Sequence, residues 1–263
     1  MKIQLFNGKD LDNWTPRGEH SQHQWDVVGH IDLDTQNPKQ FTTKKGEGIF
    51  YNGPTGRTVD LYTKYQHGDC ELHIEFVVPQ GSNSGIYFMT KYEIQILDSW
   101  GETDLTFGTC GGVYARWINE QSIGGTPPRI NMSKPPGEWQ TYDIVFKAPR
   151  FNQAGNKTDN AKFVKVIWNG KIVHENVEIE GPTRAAIPGK ETTKAPLMLQ
   201  GDHGPVAYRE TSYCNHWMIN SPLYPCHTHT YHFEYKNLLF ISTSSVVFID
   251  HINPESDETD TKN

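Results

Sequence analysis

Residues 70–78 read Cys-Glu-Leu-His-Ile-Glu-Phe-Val-Val. From Glu71 to Phe76 polar and apolar side chains alternate, and on an extended chain that alternation sends Leu72, Ile74 and Phe76 to one face and Glu71, His73 and Glu75 to the other. A segment of this kind is a half-buried antiparallel strand. Runs of similar length lie on both sides of it: Trp25–Ile31, Gly48–Tyr51, Thr58–Tyr62, Gly85–Thr90, Tyr92–Leu97, Gly112–Trp117, Gln140–Phe146, Phe163–Trp168 and Pro196–Gln200. Gly, Pro and Asn separate them, and no helix-period segment of comparable length appears. This pattern predicts an all-β chain, an antiparallel β-sandwich of the jelly-roll kind. In Trp168-Asn169-Gly170-Lys171 the Asn-Gly pair stands between two apolar runs, and both residues tolerate positive φ, so a tight hairpin turn is expected there.

The 263 residues suffice for one large all-β domain, and the 23 glycines and 16 prolines are spread along the chain instead of gathering in a linker. A net charge of -7 repels a phosphate backbone, and no cluster of Lys and Arg offsets it locally, which argues against nucleic acid as a partner. The amino-terminal MKIQLFNGKDLDNW lacks an apolar run of signal-peptide length, and nowhere do eighteen apolar residues follow one another. As written, the chain is expected to be soluble, without an export signal or a membrane span. Cys70, Cys110, Cys214 and Cys226 are too few and too irregularly spaced to define a disulfide framework or a metal knuckle.

The character of the sequence changes near residue 210. Residues 1–210 are read as the jelly-roll domain and 211–263 as an atypical tail, disordered or non-native. The tail crowds Cys214, His216, Trp217, Cys226, His227, His229 and His232 together, then carries an apolar stretch from Leu238 to Ile249 and an acidic end. That apolar stretch is too short to cross a bilayer and is interrupted by four hydroxyl residues.

Six ordered segments carry a resemblance to a known family. They are Leu5-Phe6-Asn7-Gly8-Lys9-Asp10-Leu11 with Trp14, Ser82 to Phe88, Tyr92 to Asp98, Lys134 to Tyr142, Glu178 to Thr183, and Leu199-Gln200-Gly201-Asp202-His203-Gly204. Over about residues 4–209 the chain resembles the 3-keto-disaccharide hydrolase domain, a concanavalin-like jelly roll found mostly in exported proteins. The resemblance implies cleavage of glycosides whose sugar has first been oxidised at carbon 3. One departure stands at the carboxyl end. In similar proteins the Asp-His-Gly turn leads into a closing strand reading roughly Arg-Asn-Ile-Trp-Ile, whereas here Arg209 precedes Glu210-Thr211-Ser212-Tyr213. The closing strand is therefore expected to be missing or replaced, leaving an inner row of backbone groups unsatisfied.

On a regular strand from Tyr92 to Leu97, Glu93 and Gln95 share a polar face while Ile94 and Ile96 enter the core. Asp98 would join that face only if a β-bulge intervened near Leu97. Glu-x-Gln-x-x-Asp resembles the Glu-x-Asp-x-x-Glu strand of laminarinase-type glycosidases, but with an amide in the middle. Ordinary double displacement needs two carboxyl groups, so the amide weakens that route. A ketone at carbon 3 opens another, because it acidifies the hydrogen on carbon 2 and one base then suffices to start β-elimination. Glu93 is assigned as that base and His203 as the acid for the leaving oxygen, with Gln95 and Asp98 orienting the sugar and Asp202 fixing the imidazole. Tyr114, Arg116, Asn83, Lys134 and Gln200 are further candidates for substrate binding, while Trp14 and Trp139 are expected in the core. Each assignment has a structural alternative: a solvated strand carboxylate for Glu93, a His-Gly corner for His203, a loop lysine for Lys134.

No cofactor is assigned from the sequence. Asp98, Glu102 and Asp104 form an oxygen-rich loop that could hold calcium, and Cys214, Cys226, His227, His229 and His232 could hold zinc, although neither matches a standard motif. The expected partner is a small carbohydrate. The rival readings are a noncatalytic carbohydrate-binding module of the same fold and a conventional glycoside hydrolase.

Overall fold

The computed structural model describes residues 2–18 and 23–215. In chain order the strands are β1 (Lys2–Gln4), β2 (Trp14–Pro16), β3 (Asp26–Leu33), β4 (Phe41–Tyr51), β5 (Leu61–His67), β6 (Cys70–Val77), β7 (Asn83–Phe88) and β8 (Tyr92–Leu97). They continue with β9 (Arg116–Ile118), β10 (Gln121–Ile123), β11 (Gln140–Lys147), β12 (Arg150–Phe151), β13 (Lys157–Asp159), β14 (Ala161–Trp168), β15 (Lys171–Ile179), β16 (Ala195–Leu199) and β17 (Ala207–Asn215). Among the described residues there is no helix, and so none that could cross a membrane.

Two antiparallel sheets form the sandwich. The larger runs β15-β14-β11-β6-β17-β4-β3, with β1 added beside β17, and the smaller runs β2-β5-β16-β7-β8. Alternation decides which side chains meet between them. Leu72, Ile74 and Phe76 of β6 lie beside Tyr142, Ile144 and Phe146 of β11, and all six are buried. The smaller sheet contributes Ile86 and Phe88 of β7, Ile94 and Ile96 of β8, and Leu197 and Leu199 of β16 to the same core. The Phe146 ring packs 4.9 Å from Phe88, centroid to centroid, which ties the two sheets through an aromatic pair. A polar link crosses as well: the buried Ser84 hydroxyl lies 2.9 Å from the Gln200 carbonyl and 3.1 Å from the Tyr208 hydroxyl.

The Asn169-Gly170 hairpin forms as read, with φ of 48° and 78° and Trp168 opposite Lys171. Three expectations need correction. The run at Thr58–Tyr62 enters the sheet only at Leu61, because Thr58 and Asp60 bond across to Gly201 instead. Trp139 is outside the main core. It packs beside Val77, Ala207 and Tyr51 on the outer face of the larger sheet, with the Arg209 guanidinium 4.2 Å above its ring.

The third correction concerns the closing strand, which is present. β17 pairs with β6 from Ala207 to Asn215, is flanked by β4 at its start and by β1 at its end, and so leaves no empty inner row. Its unusual sequence is accommodated by a register shift between Arg209 and Ser212, where Glu210 adopts φ of 46°. The remainder of the tail, with the zinc candidates Cys226, His227, His229 and His232 and the side chain of Cys214, lies outside the described residues.

Candidate functional site

The register of the β7–β8 hairpin builds the floor of the site. Tyr87 stands opposite Glu93 and Gly85 opposite Gln95, so these four face away from the core while Ile86, Ile94 and Ile96 enter it. Leu199 pairs with Ile86, and the next residue, Gln200, donates its amide to the Gly85 carbonyl at 3.0 Å. The result is a cleft of about 250 Å³ on the outer face of the smaller sheet. It is lined by six of the residues singled out in the sequence, Asn83, Glu93, Gln95, Tyr114, Gln200 and His203. Tyr87, Arg184 and Ala185 complete the lining.

Glu93 is only 3% exposed, and no described cation is paired with it. Burial disfavours the charged form and pushes its carboxyl up to about 8, against the opposing effect of the Tyr87 hydroxyl. Its backbone is held on both sides, by the Thr183 hydroxyl at 3.2 Å and by the Tyr114 amide at 3.1 Å. Gln95 is equally buried. Its Nε2 donates to the Gly108 carbonyl at 3.2 Å, which fixes the amide, and its Oε1 is a buried acceptor with no partner among the described residues.

His203 sits on the corner from Gly201 to Gly204, half-exposed at the mouth. Its Nδ1 lies 2.5 Å from Asp202 Oδ1 and 3.1 Å from Gln200 Nε2. The corner is anchored from below by Asn52, fully buried, whose amide donates to the carbonyls of Gly201 and Gly204 at 3.0 and 2.7 Å and accepts from the Val206 amide at 2.8 Å.

Arg184 and Ala185 arrive on the loop between β15 and β16. Thr183 donates its amide to the Lys91 carbonyl, Arg184 donates to the Ala115 carbonyl, and the Lys91 ammonium donates to the carbonyls of Ile187 and Gly189. Ala185 takes φ of 64°, a conformation that costs an L-residue energy and that recurs at binding sites.

The other sequence candidates lie elsewhere. β8 stays in register with β7 through Leu97, without the bulge that would turn Asp98 toward Glu93. The Asp98 carboxylate instead accepts from the amides of Gly81 at 2.8 Å and Trp100 at 3.3 Å. Arg116 pairs with Glu180, and the Lys134 ammonium donates to the Trp139 carbonyl at 2.9 Å. Among the described residues, the group whose ligand atoms all lie within 4.8 Å of one another is His73, Glu75 and Glu210 on the larger sheet, not the loop of Asp98, Glu102 and Asp104. In the former, His73 contacts Asp143 and Glu75 contacts Arg209.

Tyr87 was legible in principle, since it continues the two-residue period of Asn83 and Gly85. Arg184 and Ala185 were not, because a loop carries them in from ninety residues away.

Residues 2–212 match the family described as the 3-keto-alpha-glucoside-1,2-lyase-like domain. The chain is similar to a provisionally assigned glycosyl hydrolase from Parabacteroides distasonis, with 30% identity, a TM-score of 0.56 and coverage of 81% of this chain and 83% of that one. A second provisionally assigned glycosyl hydrolase from the same organism shares the fold at 16% identity, with a TM-score of 0.54 and coverage of 81% and 93%. No curated protein sequence matches the chain.

Proposed function

The chain belongs to the 3-keto-alpha-glucoside-1,2-lyase-like domain family, and from that premise we propose that it is a carbohydrate-active enzyme cleaving glycosides oxidised at carbon 3 of the sugar. The observation that carries this reading is Glu93: a carboxyl buried at the floor of a small polar cleft, pushed up to about 8 by its burial, with an imidazole at the mouth of the same cleft.

In this reading the ketone acidifies the carbon 2 hydrogen. Glu93, as carboxylate, takes that proton, and the electron pair of the broken C–H bond forms a double bond between carbons 2 and 1. The bond from carbon 1 to the leaving oxygen breaks, and His203 supplies the proton that the oxygen needs. Water then adds across the double bond to give the free keto-sugar. A base with a pKa near working pH suits such a transfer, since it is both available and strong enough. Gln95 Oε1, fixed and unpartnered, fits an acceptor for a sugar hydroxyl, and Gln200 and Asn83 supply further polar contacts. Asp202 holds the imidazole. The amide of Gln95 also argues against double displacement, which would place a second carboxylate there.

The test is product analysis with oxidised and unoxidised trehalose and aryl glucosides in deuterated water. Cleavage confined to the 3-keto compounds, with solvent deuterium at carbon 2, supports elimination, and Glu93→Gln should abolish turnover while ligand affinity survives. Affinity without turnover in the wild-type protein would instead identify a binding module, and cleavage of unoxidised sugars a conventional hydrolase.

A further inference from the structure

The cleft is small for a whole glycoside. At about 250 Å³ it falls below the roughly 300–1,000 Å³ of pockets that enclose drug-sized ligands. It is sized for one sugar ring, so the group on carbon 1 must extend past the rim.

The rim has an unusual feature on one side. The hairpin of β9 and β10 begins two residues after Tyr114 of the cleft wall and carries Trp117, whose partner across the hairpin is the small Ser122. Trp117 is 46% exposed, although its indole is one of the largest apolar surfaces the chain possesses. It is nonetheless held in place: the guanidinium of Arg184, itself part of the cleft lining, lies 4.0 Å from the ring centroid. Among the described residues no carboxylate is paired with Arg184. Its backbone is fixed in turn, with the amide donating to Ala115 at 2.8 Å and the carbonyl accepting from the Tyr87 hydroxyl at 3.3 Å. The indole is thus an oriented flat surface, continuous with the cleft through Arg184, and not a stray surface side chain.

We infer that Trp117, positioned by Arg184, forms an outer subsite that stacks on the leaving group, and that this subsite selects glycosides whose leaving group is a ring with an apolar face. The inference rests on the function proposed above, which supplies the glycoside; the subsite adds the preference at carbon 1. Either an aromatic ring or the apolar face of a second pyranose meets this requirement, since both present C–H or π surface to an indole. A methyl group does not.

The experiment compares wild type with Trp117→Ala and Trp117→Phe on three 3-keto-glucosides bearing phenyl, glucosyl and methyl groups at carbon 1, reading affinity by calorimetry and turnover separately. Trp117→Ala should weaken affinity for one or both ring-bearing ligands roughly threefold to tenfold and leave the methyl glycoside unchanged, and Trp117→Phe should recover most of the loss. A response from only one of the two ring ligands distinguishes an aromatic from a sugar preference, and a response from both shows that the subsite accepts either. An equal loss on all three would mean that Trp117 acts only by supporting Arg184 and the cleft, and no loss on any would mean that the indole touches no ligand; either overturns the inference. Wild-type affinity for all three without turnover would remove the proposed reaction and leave the subsite standing or falling on the affinity series alone.

Discussion

A methyl group built on Gly85 would stand 2.4 Å from Oε1 of Glu93 and 3.1 Å from its carboxyl carbon. The carboxyl therefore rests against bare backbone on the neighbouring strand. Gly85 has no positive φ to satisfy, so its glycine is explained by the space that Glu93 and the edge of the Tyr87 ring take up and not by backbone strain.

Gly85→Ala should consequently separate activity from folding. The closest obstructing atoms belong to the end of the Glu93 side chain, which can move, and the edge of the Tyr87 ring at 3.1 Å has to give by only a few tenths of an ångström, so the stability change should stay within about 1 kcal/mol. The displaced carboxyl loses its geometry, and a shift of that size costs on the order of tenfold to a hundredfold in rate. Urea denaturation and kcat/KM on a 3-keto-glucoside check the two halves. Wild-type turnover in a folded Gly85→Ala protein would dissociate Glu93 from the chemistry.

The pH dependence of turnover follows from the same carboxyl. Burial holds Glu93 protonated up to about 8, and a base must lose its proton to act, so on a 3-keto-glucoside whose nitrophenolate leaves without a proton from His203, kcat/KM should climb with pH, about tenfold per unit, and level off above about 8. A profile falling with pH over that range would assign Glu93 the part of an acid.

How much of this was legible in the sequence depends on the distance over which each feature is encoded. The alternation at Glu71–Phe76 and the Asn169-Gly170 turn are local, and both structures follow from the pattern alone. Glu93 and Gln95 were found because they share a strand face, and His203 because it lies on a recognisable corner. Asp98 was misread for the same reason, since only the uninterrupted pairing of β8 with β7 decides its direction. β17 was expected to be missing because Glu210-Thr211-Ser212-Tyr213 departs from the closing pattern of similar proteins, yet the neighbouring strands pair with it, the departure being taken up by a register shift. Arg184, Ala185 and Asn52 reach the site through contacts across the whole chain, which no local period records.

Stability should carry a signature of the buried carboxyl as well. Unfolded, Glu93 would titrate near 4.5; folded, it titrates at about 8. Below the lower value both states hold the proton and its contribution is fully present. Between the two, only the native state keeps it, so stability falls by about 1.4 kcal/mol per pH unit, and the loss ends above about 8. Glu93→Gln removes this slope. Urea unfolding of the two proteins at intervals from pH 5 to 8 should show the variant gaining on the wild type as pH rises, and parallel curves would mean that the carboxyl is solvated.

Asn52 offers the last test, because it lies outside the lining of the cleft. Its amide saturates three backbone groups of the corner that presents His203, at Gly201, Gly204 and Val206, and it does so while fully buried. Asn52→Ala strands the Gly204 carbonyl and the Val206 amide away from water, while the Gly201 carbonyl keeps the Thr58 amide, at about 1–3 kcal/mol for each group left unsatisfied, less whatever a water molecule entering the gap restores. A loss of about 2–4 kcal/mol in urea denaturation is expected. Asn52→Asp is the more discriminating variant, since it keeps the acceptor for Val206 but turns a donor into an acceptor facing two carbonyls. It should destabilise at least as much as alanine at neutral pH and recover part of the loss in acid, where the protonated carboxyl can donate once more. In both variants the surviving folded protein should show reduced kcat with ligand affinity less affected, because the corner that aims the imidazole is loosened while the floor of the cleft, with Glu93 and Gln95 on β8, is not.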